Sequence, residues 1–115
     1  MNWIEIKESS AVKELKRESL LHPERVYTIF KHSTRCGISR MAKNLFESEW
    51  QVAKPVHLVN VVESREVSDA ITLLFDVDHE SPQILVIKNG ISIHVNSHSS
   101  IDAAEVIKFL QSEPS

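Results

Sequence analysis

Val26-Tyr27-Thr28-Ile29-Phe30-Lys31-His32-Ser33-Thr34-Arg35-Cys36-Gly37-Ile38-Ser39 is the stretch that decides the fold. Its first five residues are dense in β-branched and aromatic side chains and read as a buried strand. A polar loop follows from His32 to Gly37. A helix is predicted from near Cys36 to about Trp50, with Ile38, Met41, Ala42, Leu45, Phe46 and Trp50 at spacings of three and four forming its inner face. Strand, loop and helix thus deliver the chain's one cysteine to the start of a helix.

The pattern continues on both sides. Trp3 to Ile6 reads as a short strand, and Ser9 or Ser10 as the cap of a helix over 11–19 with Val12, Leu15 and Leu20 as its apolar stripe. After Pro55, Val56 to Val61 reads as a strand, and Arg65 to Phe75 as a helix with Val67, Ala70, Ile71 and Leu74 on one face. Val77 to Glu80 is a turn, and Gln83 to Ile87 a further strand. Asn89-Gly90 predicts a type I′ hairpin into an antiparallel Ile91–Val95. Ser99 or Ser100 is expected to cap a last helix carrying Ala103, Val106, Ile107 and Leu110 inward, with 112–115 fraying. This order predicts an α/β fold: one mixed sheet with helices on both faces.

The 115 residues leave room for one domain, 1–115. A hydrophobic fraction of 42% with 25% charged residues is globular rather than disordered. The net charge of -3 lacks the basic footprint of a nucleic-acid binder. No apolar run approaches a membrane span, and the start of the chain lacks a signal-peptide pattern, so a cytoplasmic protein without membrane or nucleic-acid partners is expected, as a monomer.

One cysteine excludes an internal disulfide and a thiolate zinc cluster. It lies in a basic island: Lys31, Arg35, Arg40 and Lys43 make 31–43 a +4 segment, leaving nine basic against sixteen acidic residues, or -7, elsewhere. The free N–H groups and dipole of a helix start favour a thiolate over a thiol. Three residues on stands Ser39, where a dithiol oxidoreductase would have its second cysteine. A serine can hydrogen-bond a thiolate but cannot resolve a mixed disulfide, so an outside thiol must do so. His32 reads as a polar strand-end residue and His79 as a sheet-end residue without a required partner. His94 and His98 read as solvated surface residues, and Asp76, Asp78 and Glu80 as an acidic patch. No metal site is expected.

Phe30 to Ser39, with His79-Glu80-Ser81-Pro82-Gln83 and Ile87-Lys88-Asn89-Gly90, resembles the monothiol bacilliredoxin family across nearly the whole chain. The resemblance implies a thioredoxin-like fold and a thiol–disulfide oxidoreductase. Cys36 would be the catalytic thiolate, with Ser39 tuning it. It would remove bacillithiol, or a similar low-molecular-weight thiol serving as co-substrate, from S-thiolated client proteins, with no tightly bound cofactor. Thr34, Gly37 and Ile38 would shape the substrate loop, and Ser81-Pro82 would be a cis-proline element docking the disulfide. Arg35 and Arg40 are candidates for the two carboxylates of bacillithiol's malyl group. The chain departs from the family pattern Thr-x-Cys-Pro-Ile-Ser at Gly37, which replaces the proline. Cys36-Gly37-Ile38-Ser39 also resembles the Cys-Gly-Phe-Ser motif of monothiol glutaredoxins, which implies an alternative: an iron–sulfur cluster carrier.

Overall fold

A computed structural model describes residues 1–114; Ser115, the last of the expected fraying residues, lies outside them. In chain order the elements are β1 (Trp3–Glu5), α1 (Ser9–Leu21), β2 (Tyr27–His32), α2 (Gly37–Glu49), β3 (Val56–Asn60), α3 (Arg65–Phe75), β4 (Gln83–Lys88), β5 (Ile91–Ser97), a 3₁₀ turn (His98–Ser100) and α4 (Ala103–Gln111). The five strands form one sheet in the order β1-β3-β2-β4-β5. β1 and β2 run parallel to β3, while β4 runs antiparallel to β2 and to β5. The sheet is therefore mixed, as its sequence pattern predicts.

β2 occupies the centre, and five of its six residues are buried. Its alternate side chains point to opposite faces, and two separate cores result. Ile29 joins Val12, Leu15, Val67, Ile71 and Phe75 under α1 and α3. Phe30 joins Phe46, Trp50, Val106 and Leu110 under α2 and α4. An aromatic cluster pins α2 to the sheet: Phe46 lies 5.3 Å from Phe30 and 5.1 Å from Trp50, ring centroid to centroid. Trp3 completes it edge-on to Phe30, with its indole Nε1–H donating to Glu47 at 2.6 Å.

The inner face of α2 differs from the sequence expectation. Ile38, Met41 and Leu45 are exposed, whereas Ser39, Phe46 and Trp50 are buried and Ala42 is half-buried. Both stripes have helical spacing. The sheet takes the one holding the large aromatics, which bury the most apolar area. Leu20 is likewise exposed, leaving Val12 and Leu15 as the buried stripe of α1. Two caps also move. Glu8, not Ser9 or Ser10, precedes α1, and no side chain caps it. Asp102, not Ser99 or Ser100, caps α4 by accepting from the Ala104 N–H at 2.9 Å.

The β4–β5 turn has the positive φ angles that a type I′ geometry needs, 52° at Asn89 and 78° at Gly90. Ser19 on α1 ties this turn down: its Oγ accepts from the Gly90 N–H at 2.9 Å. Gly90→Ala is expected to cost about 1–2 kcal/mol. The alanine would sit in the left-handed region, with its Cβ 2.6 Å from Leu20 Cδ2 unless that side chain moves. A urea midpoint equal to that of the wild type would contradict this.

Candidate active site

Cys36 is the N-cap residue of α2 and half-exposed, with its side chain making no capping hydrogen bond. Its backbone closes the loop on one side by donating to Ser33 O at 3.2 Å, and starts the helix on the other by accepting from the Arg40 N–H at 3.1 Å. Arg40 also braces the loop through its guanidinium, which donates to Thr34 O at 3.1 Å. Thr34, Arg35, Gly37, Ile38 and Arg40 are all exposed around the thiol. A helix start leaves N–H groups without intrahelical partners, and the sulfur stands at that end.

Ser39 is fully buried and points into the protein. Its Oγ accepts from the Ser33 N–H at 2.9 Å and lies 2.7 Å from His32 Nδ1. Accepting from Ser33 leaves the hydroxyl its O–H and a second lone pair, so it can serve His32 Nδ1 in either tautomer. Burial, then the charges of Lys43 and Arg40, hold His32 below its ordinary pKa, so it is neutral near pH 7. The sequence reading gave Ser39 the cysteine as its partner and His32 none. Among the described residues the hydrogen bonds of Ser39 instead connect α2 to the end of β2 and to the cysteine loop. Ser39→Ala would orphan the Ser33 N–H and His32 Nδ1, and is expected to cost about 2 kcal/mol. The check is a lower urea midpoint at unchanged slope.

The far side of the site is built by the start of β4. Lys31 pairs with Gln83 in the β2–β4 ladder, so the residue after Lys31 and the residue before Gln83 lie at the same end of the sheet. That places Ser81-Pro82 beside the cysteine loop. The Ser81–Pro82 peptide is cis, and Pro82 is buried with Ser81 half-buried. Pro82 O accepts from the His98 N–H at 3.0 Å, and His98 pairs with Glu80 at 3.4 Å. A groove of about 370 Å³ lies along α2, with Ile38, Met41 and Leu45 on one wall and His98 and Ile101 on the other. The exposed stripe of α2 therefore lines a groove instead of the core.

Three other expectations need correction. Lys31 does not belong to an exposed basic island: it is fully buried, leaving Arg35, Arg40 and Lys43 as the cations of that segment outside the core. Desolvation lowers its pKa to about 8, against an opposing pull from Asp69 and Glu80. His79 does have partners: its Nδ1 lies 2.7 Å from Lys31 Nζ and 3.0 Å from Ser68 Oγ. His94 is not solvated but half-buried, 5.1 Å from the Phe109 ring, centroid to centroid, and 3.8 Å from Glu105. Ending β2 at Phe30 hid the buried pair. Running the strand's two-residue alternation on to His32 puts Lys31 and His32 inside, on opposite faces.

The model of the family described as Monothiol bacilliredoxin BrxC matches residues 4–106. The chain belongs to the monothiol bacilliredoxin family. With its single cysteine, this makes the bacilliredoxin a monothiol thiol–disulfide oxidoreductase. Solved structures support the thioredoxin-like fold. A thioredoxin-fold protein provisionally described as an oxidoreductase matches at a TM-score of 0.79 and 23% identity, over 93% of this chain and 92% of that one. The thioredoxin NaTrxh from Nicotiana alata matches at 0.70 and 15%, over 99% and 94%. Thioredoxin from Schistosoma mansoni matches at 0.68 and 19%, over 96% and 94%. No helix among the described residues is long and apolar enough to cross a membrane. Also among them, no group of three or more His, Cys, Asp or Glu side chains has a metal-holding arrangement. The family match supports thiol exchange rather than the iron–sulfur alternative.

Proposed function

We propose that this bacilliredoxin removes bacillithiol from S-thiolated client proteins in a reducing cytoplasm, acting as a monomeric single domain. The observation that carries the reading is a lone, half-exposed Cys36 at the start of α2, in a chain without a second thiol. The Cys36 thiolate attacks the bacillithiol-side sulfur of the mixed disulfide. One S–S bond forms as the other breaks, and the client departs as a thiolate that takes a proton from water. A second bacillithiol then attacks the Cys36 adduct, giving bacillithiol disulfide and restoring the Cys36 thiolate. The start of α2 favours the sulfur while it carries charge.

The other residues take supporting roles in this reading. Ser81-Pro82 docks the disulfide opposite Cys36, and Thr34, Gly37 and Ile38 shape the loop. Ser39 acts on the thiolate through the loop it holds, by its bonds to Ser33 and His32. Arg35 and Arg40 are exposed beside the thiol and suit the paired carboxylates of the malyl group. Exposing the protein to bacillithiol disulfide and taking its mass tests the proposal. One bacillithiol adduct that maps to Cys36 and is released by free bacillithiol is expected. An unmodified Cys36 would overturn the reading.

A further inference from the structure

The mechanism leaves one cluster unused. Lys31 is fully buried on the α3 side of β2, and an ammonium group can only donate. His79 Nδ1 at 2.7 Å must therefore be an acceptor, with the ring proton on Nε2. Ser68 Oγ on α3 stands 3.0 Å from the same nitrogen. The histidine itself is exposed, so protons reach it from solvent. It lies in the segment between α3 and β4, three residues before Pro82. Lys31 is the ladder partner of Gln83, immediately after Pro82. The segment that presents Pro82 is thus fastened to β2 on both sides, by main-chain pairing after it and by one imidazole nitrogen before it.

We propose that the Lys31–His79 pair is a proton-sensitive positioning device for the Pro82 segment. Neutral His79 holds the segment in place for the incoming mixed disulfide, and protonated His79 lets it go. The inference rests on the reading that Pro82 docks the substrate. Protonation turns Nδ1 from acceptor into donor and sets two cations against each other across 2.7 Å. The surrounding charges are Asp69 and Arg65 from α3 and Glu80 from the same segment. Desolvation, and next the Lys31 charge, hold His79 below the ordinary histidine range, so it is neutral at pH 7. Gln83 adds a second polar tie, donating to Asp78 O at 3.1 Å, and this one does not titrate.

The test is KM and kcat against pH, from 5 to 8, with a peptide carrying a bacillithiol mixed disulfide and free bacillithiol as reductant. Wild-type KM is expected to rise about threefold or more as pH falls through the His79 titration. His79→Asn keeps an acceptor near the Nδ1 position without titrating, so its KM should stay flat at the wild-type pH 7 value. Lys31→Met should hold KM near the raised low-pH value of the wild type at every pH, with kcat within about twofold. Groups that all three proteins share drop out of the comparison. A His79→Asn KM that follows the wild-type curve would overturn the proposal, as would a folded Lys31→Met with wild-type KM. If Lys31→Met does not fold, NMR of the wild type decides: the Ser81 and Gln83 amides must shift with the His79 ring midpoint. Pro82→Ala separates the two layers. Unchanged KM there refutes Pro82 docking and the device with it, whereas raised KM there with an unresponsive Lys31→Met refutes the device alone.

Discussion

Cys36→Ser is expected to lower bacillithiol transfer by about four orders of magnitude or more while leaving the fold intact. The two halves of this outcome have separate causes. A serine hydroxyl is a far weaker nucleophile than a thiolate near neutral pH, and the sequence offers no other thiol to take over. The structural cost is small because the Cys36 side chain is half-exposed and makes no capping hydrogen bond. Serine is in addition among the best N-cap residues, so the unfolding midpoint should hold or rise slightly. Steady-state release of bacillithiol from a client, read beside a urea melt, checks both halves. Transfer comparable to the wild type would remove Cys36 from the mechanism.

The second large effect is on stability and comes from Lys31. Its folded pKa of about 8 lies below the 10.5 of the unfolded chain. Below pH 8 both states carry the proton, and the folded protein bears the full cost of a buried ammonium. Between pH 8 and 10.5 the folded state has released a proton that the unfolded state still holds. Raising pH then favours folding, by up to about 1.4 kcal/mol per pH unit. Above 10.5 both states are neutral and the gain stops. The wild type is therefore expected to gain about 3 kcal/mol relative to Lys31→Met across this window. Burial also raises the pKa of Tyr27, but Tyr27 is present in both proteins and drops out of the difference. Urea unfolding at pH 7, 9 and 10.5 makes the measurement, and parallel pH curves for the two proteins would count against it.

Element order, sheet type and the position of Cys36 were legible because each rests on local pattern. β2 announces itself by Val26 to Phe30, and the β4–β5 turn by Asn89-Gly90. The orientation of α2 was not legible, because it carries two apolar stripes about one residue apart. Ile38, Met41 and Leu45 give a convincing helical face. The true face instead contains Ser39, a polar residue whose burial depends on His32 and Ser33 accommodating its hydroxyl. The same limit hid Lys31. Its partner His79 is 48 residues away, and only the packing of α3 against the β2–β4 end of the sheet brings them together. Polar groups bury where a distant partner meets them, and pattern along the chain carries no record of that partner.

The strand order has a consequence for how the site comes into being. β2 is the central strand, yet both of its neighbours are encoded after it: β3 begins 24 residues after the end of β2, and β4 51 residues after it. On a ribosome the nucleophile and its helix are therefore made before the wall that faces them. While β4 is still unsynthesised, Lys31 has neither Gln83 across from it nor His79 beside it, and it stays hydrated and fully basic. The reactive cysteine thus exists before the wall it works against, and the lysine gives up its water only as that wall arrives.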